Sequence, residues 1–242
     1  MVQRVGLIIP SSNRMVEEEM IRFYPKDVVV HVTRLRMTGP HKKPLDQLLG
    51  DIETAAAALV DAKCNVVTFH CTVTSMSDGP AGETRILNAL KTARAPFFAT
   101  TSTAVRAALD ACDAKRIALI TPYDAHKTEE EIEFLEDAGY QVVYTKGYDL
   151  KNSDAYCSTP ASVWRDRVLE ARRPDVDAYF LSCANIQAIG EIHGLEEALG
   201  APVLTSNQVV IWDGLRQVGL TNGFDGPGAL FRKQRRPTKD LI

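Results

Sequence analysis

Arg4-Val5-Gly6-Leu7-Ile8-Ile9-Pro10-Ser11-Ser12-Asn13 opens the chain, and Arg116-Ile117-Ala118-Leu119-Ile120-Thr121-Pro122-Tyr123 restates its pattern 112 positions later. Each is a short aliphatic run closed by proline and small polar residues, which reads as a buried strand ending in a turn. Each is followed by helical periodicity. After the first run, residues 15–23 place Met15, Val16, Met20 and Phe23 on one stripe, with Glu17, Glu18 and Glu19 near the start, where a helix dipole favours acids.

Strand and helix alternate outward from these two runs. Strands are expected at residues 28–35, 65–70 and 96–99, with helices at 45–61, 82–93 and 103–112. In the second half, strands are expected at 140–146, 178–181 and 202–205. Helices are expected at 127–138, stopped by Gly139, at 161–171, at 191–199, stopped by Gly200, and at 209–218. Such alternation implies an α/β protein with parallel sheets. The restart near residue 114 implies two pseudosymmetric, doubly wound parallel-sheet subdomains. The expected division is 1–106 plus 207–242 for one and 107–206 for the other, with the site in the cleft between them. The tail from Gly219 reads as an irregular, partly ordered extension.

Composition narrows the function. The 242 residues are 45% hydrophobic and 24% charged, which is globular. With 28 basic against 31 acidic residues, no excess charge is available to neutralise nucleic-acid phosphates. No apolar run is long enough to span a bilayer, and the first residues lack the pattern of a signal peptide. Five irregularly spaced cysteines point to a reducing cytoplasm rather than a disulfide framework. The five histidines show no metal-ligand spacing, and neither a phosphate-binding loop nor a dinucleotide fingerprint follows the first strand. Arg232 to Arg236 form a basic cluster that reads as a solvated tail, with contact to a neighbouring subunit as the other option.

Chemistry in open α/β sheets gathers where strands end. Pro10-Ser11-Ser12-Asn13 is one such end; it could hold an anion, although the segment alone favours a plain Ser/Asn helix cap. His70-Cys71-Thr72 and Ser182-Cys183-Ala184-Asn185 are two more, each setting a cysteine just past an apolar strand. A single cysteine there is more often a small buried hydrophobe. Two, separated by the same 112 positions as the strand runs, favour function and opposite walls of one cleft. Cys64, Cys112 and Cys157 read as structural or incidental. Asp78 reads as a helix-entry cap.

With the opening Gly6-to-Asn13 run, the two cysteine turns and Ser206-Asn207-Gln208, the chain resembles maleate cis-trans isomerases of the aspartate/glutamate racemase superfamily, relatives of the arylmalonate decarboxylases. The resemblance runs from Val5 to about Val218. It implies a cysteine from each half facing one small dicarboxylate, with no metal or organic cofactor. It implies Cys71 as the nucleophile on the double bond and Cys183 as acid/base or stabiliser. Asn13, Tyr123 and, most loosely aligned, Asn152 match its substrate-binding positions. Donors to the two carboxylates are expected from Ser11, Ser12, Asn13, Thr72 and the backbone after each cysteine, at Thr72, Val73 and Ala184. His70 and Met76 depart from the small residues found there in the isomerases. Cys71 argues against the decarboxylases, which lack the first cysteine. A cytoplasmic homo-oligomer is expected. Three alternatives stay open: a two-cysteine racemase or epimerase, a binding protein that has lost chemistry, and a Cys71–Cys183 disulfide.

Overall fold

Gln3–Pro10 (β1) is buried from Val5 onward, with no alternation of exposed residues. A strand covered on both faces needs helices on both sides, and β1 has them. Val5, Leu7 and Ile9 pack in one core cluster, while Ile8 packs on the opposite face in another. The structure is a computed structural model that describes residues 2–221 and 226–236.

From β1 the chain runs through Val16–Phe23 (α1), Val28–Leu35 (β2), Leu45–Asp61 (α2), Val66–Phe69 (β3), Thr72–Met76 (α3), Gly79–Lys91 (α4), Phe97–Thr100 (β4) and Thr101–Ala111 (α5). The second half repeats the plan. It holds Arg116–Thr121 (β5), Ala125–Asp137 (α6), Gln141–Gly147 (β6), Ser153–Ser158 (α7), Ala161–Glu170 (α8), Ala178–Leu181 (β7), Ile192–Leu199 (α9), Val203–Thr205 (β8) and Ser206–Gln217 (α10). Two four-stranded, all-parallel sheets result, ordered β2-β1-β3-β4 and β6-β5-β7-β8.

Register carries the 112-residue repeat through both sheets. Ile8 pairs with Phe69, and Ile120 with Leu181. One residue on, His70 N–H donates to Ile8 O at 2.8 Å, and Ser182 N–H to Ile120 O at 2.9 Å. Cys71 and Cys183 therefore leave equivalent strands at equivalent points. The halves share one hydrophobic core: α1 and α5 contribute Met20, Val105 and Leu109, and α10 contributes Val210, Ile211 and Trp212. Helices α5 and α10 each begin directly on a strand end, and each carries a capping box, Thr100 with Thr103 and Thr205 with Gln208.

Several sequence expectations need correction. Thr72–Met76 and Ser153–Ser158 are short helices where loops were expected, so Cys157 sits buried in a helix. The tail folds back on its own chain. Leu230 and Phe231 are buried, and the Arg216 guanidinium donates to the carbonyls of Leu220, Phe231 and Lys233. Arg235 pairs with buried Asp213 at 2.6 Å, which takes it out of the solvated cluster, while Arg232 and Arg236 are exposed and Arg236 pairs with exposed Asp113. The tail expected from Gly219 also includes residues 222–225 and 237–242, which lie outside the described residues. Among the described residues no helix is long and apolar enough to cross a membrane.

Candidate active site

A cavity of about 90 Å³ opens where β1, β3, β5 and β7 end, walled from both halves. The first half contributes Pro10, Ser12, Asn13, Thr38, Cys71, Thr72 and Val73; the second contributes Tyr123, Ser153, Tyr156, Cys183, Ala184 and Asn185. No Asp, Glu, Lys or Arg is among these residues. The polar lining consists of thiols, hydroxyls, side-chain amides and backbone groups.

Cys71 is the N-cap of α3, the residue whose side chain faces the free N–H groups of a helix's first turn. Its thiol lies 3.2 Å from Thr74 Oγ1. Burial pushes the Cys71 thiol up, and the Thr74 hydroxyl and backbone N–H pull it partly back. Cys183 takes φ 128°, in the region that favours glycine. Two bonds hold it there: its N–H donates to Ser206 Oγ at 3.0 Å, and Asn185 N–H donates to its Sγ at 3.3 Å. Burial pushes the Cys183 thiol up to about 12, against the pull of the Tyr123 hydroxyl and Asn185 N–H. Both side chains are free thiols, so the disulfide alternative is not what this structure holds.

Asn13 serves as anchor and wall together. Its Oδ1 accepts from Met15 N–H and Val16 N–H, both at 3.0 Å, which caps α1. Its Nδ2 donates to Ala184 O at 2.8 Å, tying the opening turn to the second cysteine turn. One amide hydrogen remains for the cavity. Ser12 Oγ lies 2.9 Å from both Thr38 Oγ1 and Ser153 Oγ, a hydroxyl chain across the rim. Tyr123 is buried, its hydroxyl turned to Cys183, and its ring meets Tyr156 edge-on at 5.8 Å.

Two residues expected in the site lie outside the cavity wall. Ser11 is exposed, with its N–H on Leu35 O. Asn152 is exposed and its Oδ1 accepts Ala155 N–H at 3.0 Å, as the N-cap of α7; Ser153, one position on, lines the cavity instead. The cap consumes the Asn152 acceptor and directs it along the helix axis. Thr38, Ser153, Tyr156 and Asn185 were not singled out from sequence. Thr38 follows β2, and Asn185 belongs to the second cysteine turn, so the strand-end rule pointed near both. Ser153 and Tyr156 lie on the unanticipated α7, and no sequence signal marked them.

Buried polar groups stand behind each cysteine. His70 Nδ1 lies 2.9 Å from Thr101 Oγ1 and Nε2 2.8 Å from Asn207 Oδ1. Burial lowers this ring to about 4, so it is neutral near pH 7. At the matching place Ser182 Oγ donates to Glu131 Oε1 at 2.9 Å. Glu131 is fully buried, and burial pushes its carboxyl up to about 8, partly offset by Ser182. Among the described residues no three His, Cys, Asp or Glu side chains gather where a metal ion could be held.

The arylmalonate decarboxylase family profile matches residues 5–231. The chain is 26% identical to the maleate isomerase of Nocardia farcinica, over 98% of each protein. A maleate isomerase from Pseudomonas putida, solved with maleate, superposes with a TM-score of 0.86 at 26% identity, covering 96% of this chain and 98% of that one. A cysteine-to-serine variant of the Nocardia farcinica enzyme, solved with a covalently bound succinylcysteine intermediate, superposes at 0.84 and 26% identity, covering 96% and 99%.

Proposed function

The chain belongs to the arylmalonate decarboxylase family, and within it we propose a cofactor-independent cis–trans isomerase of maleate or a close cis-enedioate analogue. The observation that carries this reading is the pair of free thiols, Cys71 and Cys183, on one small uncharged cavity. Similarity to the maleate isomerases supports the substrate class.

Cys71 is the nucleophile in this reading. Its sulfur adds to one alkene carbon, and the double bond becomes a single bond about which rotation is cheap. Cys183 delivers a proton to the other carbon, and the proton given up by Cys71 restores it. The net step adds S–H across C=C. It therefore starts from two neutral thiols, the state that burial favours in both. After rotation, Cys183 takes a proton from that other carbon as its own passes to the departing Cys71 sulfur, the Cys71–carbon bond breaks, and fumarate leaves with both thiols neutral again. A carboxylate carries the charge that develops beside the reacting carbon. Thr72 and Val73 N–H, at the start of α3, with the Ser12 hydroxyl and the remaining Asn13 hydrogen, are the donors proposed to hold the two carboxylates, the Thr72 hydroxyl being spent on Ser206. Ser11 and Asn152 act at most from outside the wall.

A two-cysteine racemase of amino acids would need an acid beside the turns for the substrate's ammonium group, and the cavity wall has none. Incubation with maleate, followed by proton NMR, tests the reading. The fumarate singlet should grow as the maleate singlet falls. No fumarate from maleate, with deuterium entering the α-position of an amino acid in D₂O, sinks it in favour of the racemase.

A further inference from the structure

One side chain that does not line the cavity is bonded to both cysteine turns. Asn207, the second residue of α10, is 2% exposed. Its Oδ1 accepts from His70 Nε2, the residue before Cys71, at 2.8 Å. An amide oxygen can only accept, so the neutral His70 ring carries its proton on Nε2 and Nδ1 accepts from Thr101. The Asn207 Nδ2 donates to the Glu19 carboxyl and, at 3.2 Å, to the carbonyl oxygen of Ala184, the residue after Cys183.

That carbonyl accepts twice. Asn13 Nδ2 reaches it from the first half at 2.8 Å. The other end of the same peptide group is Asn185 N–H, which donates to Cys183 Sγ at 3.3 Å. Bonds accepted at a carbonyl draw charge toward its oxygen and strengthen the N–H opposite as a donor. A sulfur anion profits from such a donor more than a neutral thiol does, because a hydrogen bond to an ion is roughly twice as strong. Ser206, next to Asn207, makes a parallel link, accepting from Thr72 Oγ1 at 2.9 Å and from Cys183 N–H.

We propose that Asn207 is a positioning residue that tunes Cys183 through the Ala184–Asn185 peptide while it fixes the Cys71 turn through His70. It touches no substrate. Its role in turnover rests on the isomerase reading; its effect on the Cys183 thiol does not. The two are separated by an experiment that needs no substrate. Cys183 is alkylated with iodoacetamide at several pH values below its midpoint, where the rate follows the thiolate fraction, in a Cys71→Ser background, and each cysteine peptide is followed by mass spectrometry. Loss of the Asn207 donor should slow Cys183 alkylation about three- to tenfold at each pH, because part of a charge-assisted bond to the thiolate is lost. In the enzyme with Cys71 intact, kcat on maleate should fall about three- to tenfold with KM within about twofold, as expected when ground-state binding is left alone. Asn207→Ala and Asn207→Ser are both made; the serine is neutral, too short to reach Ala184 O, and small enough to admit a water against His70. If only the serine variant folds, it decides. Slower alkylation of Cys183 supports the proposal. An unchanged or faster rate in a folded variant overturns it, faster being all that loosened packing would produce.

Discussion

Cys183 is held at a backbone angle that glycine adopts freely and cysteine does not. Such strain costs about 1–3 kcal/mol and persists where surrounding bonds over-determine it. Here the Ser206 and Asn185 bonds do so, and the thiol is aimed into the cavity as a result. Cys183→Gly should therefore unfold at least as high in denaturant as Cys183→Ser, by about 1 kcal/mol, although it removes more side chain. Glycine less stable than serine would show that the angle carries no strain. Turnover should be lost in the glycine variant. The other thiol on the wall, Cys183, serves proton transfer in this scheme, so Cys71→Ala should cost at least about 10²-fold in kcat; near-native activity would remove the nucleophile from the scheme. The cysteines were legible from sequence because a strand end and a 112-residue spacing marked both. Asn207 was legible only as part of the Ser206-Asn207-Gln208 motif, since its bonds reach residues 137 and 23 positions away.

Among the elements, α6 and β6 show how the second half supports its cysteine and tyrosine. Glu131 on α6 bonds Ser182 at the end of β7, and its second oxygen has no hydrogen-bond partner. Its folded pKa, about 8, stands above the ordinary 4.5. The folded state thus holds a proton that the unfolded state releases, and stability contributed by Glu131 is full below about pH 4.5 and lost as pH rises through about 8. Glu131→Gln keeps a partner for Ser182 and does not titrate. Urea unfolding should show the parent losing about 3–5 kcal/mol relative to this variant across that window. Parallel pH curves would mean that Glu131 is not a buried neutral acid. At the end of β6, Gly147 leaves no room for a side chain. A Cβ there would sit 2.7 Å from Thr128 Oγ1 and 2.8 Å from Tyr123 O. Gly147→Ala should destabilise by about 1–3 kcal/mol, the usual penalty of overpacking, and lower activity by displacing Tyr123. Wild-type stability and activity would show that the backbone yields there without cost. Helix periodicity read most of these elements to within a few residues. It failed on α3 and α7, five and six residues long, because so short a helix shows no period. Asn152 stands apart for the same reason: with α7 in place it is the helix cap, and Ser153 beside it lines the wall.

For the molecule as a whole, the parallel α/β architecture and its repeat were legible because buried strands leave continuous apolar runs. How the halves meet was not, because the bonds that join them span much of the chain. Asn13 reaches Ala184, Ser12 reaches Ser153 and Arg14 reaches Asp154. These ties converge on the cavity rim, and one core runs beneath both sheets. The account's central claim, that the two halves present two thiols to one substrate and that Cys71 bonds to it, is tested most directly by trapping. Cys183→Ser keeps Cys71 and leaves a hydroxyl that can relay the proton as the adduct forms, but it removes the thiol that must take a proton from carbon to expel product. After incubation of this variant with maleate and digestion, mass spectrometry should find the Cys71 peptide heavier by one maleate, as a succinyl thioether, with Cys64, Cys112 and Cys157 unmodified. An unmodified Cys71 peptide in a folded protein, or equal labelling of all the cysteines, would contradict the claim.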